Sequence, residues 1–185
     1  MGGTFDPPHI AHLLAGESAY RDLDLDVVHF VPAGAPWQKA DQPVTAAQHR
    51  LEMTKLATEG VDYFVADGRE VLRSGWSYTA DTLAEFDPDD ELFLIVGADT
   101  AARILSWDRI DEVLGQCHVT VAPRLGTDRA AVEATGIPFT WLDMPVVGIS
   151  ATDVRDRADS GKSYRFLVSR NVYDYIEAHN LYGTL

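Results

Sequence analysis

Apolar runs of strand length alternate with stretches of helical period along this chain, and no other feature constrains its fold as much. "VVHFVPA" (27–33), "DYFVADG" (62–68), "ELFLIVG" (91–97), "HVTVAP" (118–123) and "PFTWLDM" (138–144) read as strands, being short and rich in β-branched or aromatic residues. The segments between them predict helices near 10–22, 45–59, 79–86, 99–114 and 127–135, with a last one near 170–179. Such alternation implies an α/β fold in which a parallel sheet carries helices on both faces. No repeat, low-complexity tract or long Pro/Gly/Ser linker divides the 185 residues, so a single Rossmann-like domain over 1–185 is expected. In sheets of this kind ligands bind beyond the carboxyl ends of the strands.

Charge and cysteine content exclude several classes. Fifteen Lys and Arg against 29 Asp and Glu give a formal net charge of -14, so the surface as a whole repels nucleic acid. A small phosphorylated ligand is still compatible, because a pocket can be locally basic. The longest apolar stretches fall far short of the roughly 20 residues of a membrane helix, and no basic-then-apolar leader opens the chain. Neither nucleic acid nor membrane is an expected partner. Cys117, the single cysteine, allows no internal disulfide and no metal knuckle, which fits a cytoplasmic protein.

Two stretches carry chemistry. In "MGGTFDPPHIAHLL" (1–14), Gly2 and Gly3 allow close approach to a ligand or positive φ, Pro7 and Pro8 stop the turn, and a helix begins near His9 or Ile10. His9 and His12 then share one face of the first turn, beside free N–H groups and the positive end of the helix dipole. Two imidazoles there can donate to phosphate oxygens and steady a transferring phosphoryl group. Taken alone, His-x-x-His also suits incidental histidines on a surface helix, or a metal pair, although no Cys/His cluster supplies the further ligands zinc needs. In "VGISATDVRDR" (147–157), Ser150 and Thr152 are suited to cap a helix with hydroxyls and N–H groups facing outward, and Arg155 lies one turn in. An ordinary capped helix with a surface arginine accounts for that stretch alone. Two such helix starts near opposite ends of the chain suit a polyphosphate spanning the centre of one sheet.

These residues carry a family resemblance. "GGTFDPPHIAH" resembles the signature Gly-Gly-Thr-Phe-Asp-Pro-x-His-x-Gly-His of bacterial nicotinate-nucleotide adenylyltransferases, within the nucleotidyltransferase superfamily, and "ISATDVR" resembles their Ile-Ser-Ser-Thr-x-x-Arg. Further landmarks follow in family order: "VPAGAPWQK", "HRLEM", "SYTADTL", "GADTAARILSW" and "VYDYIEAHNLY".

The resemblance implies adenylyl transfer in NAD biosynthesis, in which the phosphate of nicotinate mononucleotide attacks the α-phosphorus of ATP to give deamido-NAD and pyrophosphate. A phosphate nucleophile is ionised near pH 7, so positioning and charge stabilisation suffice without a general base. By resemblance His9, His12 and Arg155 are the catalytic contacts, with His12 the stronger candidate at the transition state. Gly3, Thr4, Phe5, Lys39, Asp99, Ser150 and Thr152 would bind ATP, and Tyr78, Thr79, Trp107 and Arg124 the mononucleotide. Mg2+ is expected to ride on ATP oxygens and water, with no protein metal site. A homo-oligomer is left open. Blander readings stand beside several of these: Trp107 as a core aromatic, Thr79 as a helix cap, Lys39 as a surface lysine. Arg50, inside "HRLEM", suits a structural ion pair as well as a ligand contact.

The chain departs from the family at three points. Ala11 replaces the glycine between the histidines, and Ala151 replaces the second serine of the other motif. The signature also normally follows a strand, whereas this chain begins at its glycines. Loss of a central strand leaves N–H and C=O groups unpaired in the core, so either a product several residues longer or a poorly stable chain is expected. Two alternatives are a pantetheine-phosphate adenylyltransferase, which shares the histidine signature but not "SYTADTL" or "GAD…W", and a non-catalytic nucleotide-binding Rossmann domain. A structural protein would not need basic residues converging on strand ends.

Overall fold

The computed structural model describes residues 1–36 and 43–183. Among the described residues six strands form two parallel sheets: β1 (Gly2–Gly3), β2 (Val28–Pro32) and β3 (Phe64–Ala66) in one, β4 (Phe93–Gly97), β5 (His118–Ala122) and β6 (Thr140–Trp141) in the other. Gly2 lies opposite Val31, Val28 opposite Phe64, Phe93 opposite His118, and Thr120 opposite Thr140. All five predicted strands are present with trimmed ends. The helices are α1 (Ile10–Asp22), α2 (Ala47–Thr58), α3 (Arg69–Leu72), α4 (Thr79–Leu83), α5 (Ala98–Ala101), α6 (Ile110–Gln116), α7 (Arg129–Glu133), α8 (Ala151–Asp159) and α9 (Arg170–Ala178).

Alternate residues of a strand point to opposite faces, and here both faces are buried. On β4, Leu94 and Val96 join a cluster with Ala80, Ala101, Ile104 and Val113, while Ile95 between them joins Phe5, Ala15 and Phe30. A strand buried on both sides reads as a continuous apolar run, which is why "LFLIV" was recognisable. A third cluster unites α2, α8 and α9 through Met53, Val154, Val172 and Ile176.

Two expectations are corrected. The helix predicted over 99–114 is broken into α5, a 3-10 turn at Ile104–Ser106, and α6. Trp107 turns extended (ψ 146°) and Arg109 is left-handed (φ 49°), so the chain leaves helical geometry just where two charged residues follow the tryptophan. Gly2 and Gly3 do not supply positive φ either; they are the strand β1, and the left-handed residue of the following loop is Phe5 (φ 48°). The signature's own glycines, Gly2–Gly3, pair with β2 as a strand. Val31 donates its N–H to Met1 O at 2.9 Å and Ala33 to Gly3 O at 2.8 Å. Among the described residues no ladder joins β1 to β4, so the two sheets are separate. Between them opens a groove of about 700 Å³, lined by Val27, Val28 and His29 on one side and by Leu92 to Val96 on the other.

Candidate functional site

The loop from β1 to α1 brings the histidines together. Phe5 is 2% exposed, and its ring lies so near Gly3 that an added Cβ there would meet Phe5 Cζ at 3.2 Å, which explains a glycine at that position. His9 occupies the N-cap of α1 and stacks on His12 with ring centroids 3.7 Å apart, while Phe5 meets the His12 ring edge-on at 4.9 Å. The backbone N–H of His9 donates to His12 Nδ1 at 3.1 Å. That bond needs a bare Nδ1, so in neutral His12 the proton sits on Nε2. Burial, assisted by the nearby charge of Arg124 and opposed by Asp153, pushes His9 down to about 4. His9 is therefore a neutral imidazole at pH 7, and its Nδ1 is buried without a hydrogen-bond partner among the described residues. One first-turn donor expected to be free is engaged: Ile10 N–H binds Leu167 O at 2.9 Å.

α8 approaches the same loop. Arg155 donates to Asp6 O at 2.7 Å and to Thr152 Oγ1 at 3.2 Å, so it joins two stretches that stand 149 residues apart. Ser150 caps α8, and its hydroxyl is engaged with Asp153. Asp153 N–H donates to Ser150 Oγ at 3.1 Å, and Ser150 returns its N–H at 2.9 Å and its hydroxyl proton at 2.5 Å to the Asp153 carboxylate. The Ser150 bond in turn holds the Asp153 carboxyl below the usual range. Asp153 was missed from sequence although Ser-x-x-Asp is a capping-box spacing, the signal that would have found it.

Arg124 donates to Ile149 O at 3.3 Å, and its Nε lies 3.7 Å from Asp99 Oδ1. Its charge is felt by His9 and it does not line the groove, so it sits on the histidine side, apart from the other residues expected to contact the mononucleotide. Tyr78, Thr79 and Trp107 do line the groove together, with Gly3, Thr4 and Asp99 nearby. Thr79 is the first residue of α4 and Tyr78 its N-cap, so the capping position falls one residue earlier than expected. Arg109 ties the two walls: it pairs with Asp81 of α4 at 2.8 Å and with Asp108 at 2.9 Å, and its guanidinium lies 5.6 Å from the Tyr78 ring centroid. Arg50 proves to be neither an ion-pair partner nor positioned for a ligand; 1% exposed, it donates to the carbonyls of Thr4 (2.8 Å), Gly34 (3.0 Å) and Thr45 (2.8 Å). Lys39 lies outside the described residues.

Among the described residues no group of three His, Cys, Asp or Glu is arranged to hold a metal ion, and no helix is long and apolar enough to cross a membrane. A stacked histidine pair of which His9 is buried and His12 half-buried, two arginines and a helix start near one loop, beside a groove with an aromatic wall, are suited to hold a phosphorylated ligand.

Comparison with known proteins agrees. The cytidylyltransferase-like family profile matches residues 1–157. A probable nicotinate-nucleotide adenylyltransferase of Leifsonia xyli subsp. xyli is 42% identical over 191 residues, covering 100% of this chain and 93% of that protein. One of Moorella thermoacetica is 39% identical over 194 residues, covering 98% and 89%. Among solved structures, nicotinic acid mononucleotide adenylyltransferase of Plasmodium falciparum, complexed with APC, superposes with a TM-score of 0.78 at 19% identity, covering 98% of this chain and 94% of that one. The chain belongs to the cytidylyltransferase-like family, alongside the nicotinate-nucleotide adenylyltransferases that it matches over nearly its whole length.

Proposed function

We propose that this protein transfers the adenylyl group of ATP to nicotinate mononucleotide, releasing pyrophosphate and forming deamido-NAD, as the names of its relatives suggest. The observation that most supports the reading is Arg155 bound to Asp6 O, which joins α8 to the loop that carries the stacked histidines. ATP arrives as its Mg2+ complex, the ion neutralising part of the phosphate charge; a metal carried by the nucleotide asks for no protein cage. His12 offers Nε2–H as a donor toward the transferring phosphoryl group, because Nδ1 is already an acceptor. His9, kept neutral by burial, holds that ring by stacking and through its own N–H. Arg155 and Arg124 balance charge building on the departing pyrophosphate, and Thr152 steadies Arg155. Trp107 and Tyr78 offer ring surfaces to the pyridine, with Thr79 at the start of α4 beside its carboxylate. With one cysteine and a net charge of -14, the setting on this reading is the cytoplasm. Incubating the purified protein with ATP, Mg2+ and nicotinate mononucleotide, in parallel with phosphopantetheine, tests the reading. Pyrophosphate release with the mononucleotide alone supports it. Tight nucleotide binding without release overturns it in favour of a binding domain, and release with phosphopantetheine alone in favour of the sister activity.

A further inference from the structure

We infer that Tyr182, in the turn after α9, is a positioning residue for adenylyl transfer, acting through Asp6 on the loop that carries the histidines. The inference rests on the reading above. That loop does not hold itself: Phe5 sits in the left-handed region, which for a bulky side chain persists only where surrounding contacts fix it. Asp6 is where those contacts converge. It is 4% exposed, and each carboxylate oxygen has one donor: Tyr182 OH to Oδ1 at 2.7 Å, and Thr45 N–H to Oδ2 at 3.1 Å. Its carbonyl takes Arg155 at 2.7 Å. A buried carboxylate oxygen that loses its donor carries the desolvation penalty uncompensated, so the side chain shifts or admits water. Either response moves Asp6, and the carbonyl that holds Arg155 moves with it.

The Tyr182 phenol is itself well anchored. It packs on the cluster of Met53, Val154 and Val172, and it too occupies left-handed backbone (φ 66°). Burial, and the Asp6 charge beside it, push its hydroxyl far above the ordinary tyrosine range, so it stays a donor at any working pH. The neighbouring stretch makes a second tie, Ile10 N–H to Leu167 O at 2.9 Å. The C-terminal segment therefore grips the loop at Asp6 and at Ile10, on either side of His9. Neither grip touches the groove where Tyr78 and Trp107 lie.

Tyr182→Phe keeps the ring and removes only the donor. The expected result is a kcat lowered roughly tenfold, since small misplacements of transition-state donors are amplified in rate, with the KM for the mononucleotide within about twofold of the parent. Amide exchange across residues 4–10 should quicken in the same variant. In the double variant with Asp6→Asn, the losses should fall short of the sum of the single losses, because both remove one interaction. A lowered melting temperature with unchanged kcat and unchanged exchange in 4–10 overturns the inference, leaving Tyr182 as an anchor of the C-terminus. Additive losses overturn it too. Should Tyr182→Phe fail to fold, Asp6→Asn alone decides by exchange at 4–10 and in the turn at 181–182, which quicken together only if the tie operates. If the parent protein releases no pyrophosphate, the proposed function fails by itself, and exchange still decides the role of Tyr182.

Discussion

His9 and His12 stand one helical turn apart and have different tasks. His12 presents Nε2–H because the His9 backbone occupies its Nδ1. Replacing His12 with alanine should lower kcat by roughly 10²–10³ with modest effect on substrate binding, the usual consequence of losing one transition-state donor. Steady-state kinetics on a variant with parental circular dichroism checks this; an unchanged kcat removes His12 from the mechanism. His9 instead ties stability to pH. Its folded value near 4 lies below the unfolded 6.5, so between those values the unfolded chain binds the extra proton. Stability from this group is therefore complete above about pH 6.5 and lost as pH falls toward 4. The loss is on the order of 3 kcal/mol across that window, at about 1.4 kcal/mol per pH unit. In His9→Gln that component of the slope should vanish, which urea unfolding at pH 4.5, 5.5 and 6.5 would read as a flatter profile; equal slopes would mean that His9 is solvated after all. The sequence offered both histidines through their spacing at a helix start. It could not disclose which would be buried, because His9 at 2% exposure and the half-buried His12 differ through tertiary packing that spacing does not carry.

At the scale of elements, α8 shows how one helix start divides its labour. Ser150 and Asp153 satisfy each other, while Arg155 reaches across to Asp6 O. Ser150→Ala should then destabilise the fold by about 0.5–2 kcal/mol, the range for a lost N-cap, and leave ATP affinity nearly unchanged. Arg155→Ala should instead act chiefly on the ligand, weakening ATP by about 1.5–3 kcal/mol and the mononucleotide less, because a charge-assisted contact to the triphosphate is lost, and should also cost the fold the bond to Asp6 O. Thermal melts paired with isothermal titration of each ligand separate the two. A mononucleotide penalty exceeding that of ATP for Arg155→Ala would reassign this helix start. Strands and most helices were legible as apolar runs and periods, since β4 and β5 are buried on both faces. The break at Trp107–Arg109 was not, because Arg109 in left-handed backbone is held by Asp81 on another helix, a tertiary contact that local periodicity does not carry. Arg50 was misread for the same reason. Its three carbonyl partners come from the loop between β1 and α1, from the loop after β2 and from the approach to α2, and no helical pattern registers them.

Over the whole molecule, the groove between the two sheets is, on the proposed reading, where substrates are distinguished. Its walls come from distant parts of the chain: Gly3 and Thr4 beside the histidine loop, Tyr78 and Thr79 opening α4, and Trp107 from the broken helix. The motifs named these residues one by one, but their meeting in one groove depends on the parallel crossovers that stack α4 and α6 on β4. On the proposed reading, two kinds of contact act on the pyridine ring. Stacking on the indole holds nicotinate and nicotinamide forms about equally, because both present the same π-face. A ring carboxylate, unlike an amide, is also favoured by N–H donors and the positive end of a short helix such as α4. The enzyme should therefore prefer the nicotinate form, and Trp107→Ala should weaken both mononucleotides by a similar factor while leaving their ratio nearly intact. Arg109, bridging Asp108 and Asp81, keeps the tryptophan turn and α4 in register, so this variant should not collapse the opposite wall. Measuring kcat/KM for both mononucleotides in the parent and in Trp107→Ala, with ATP affinity as the control, checks the division. If the ratio collapsed while ATP bound normally, selectivity would reside in the indole itself, and the start of α4 would lose its part in choosing the substrate.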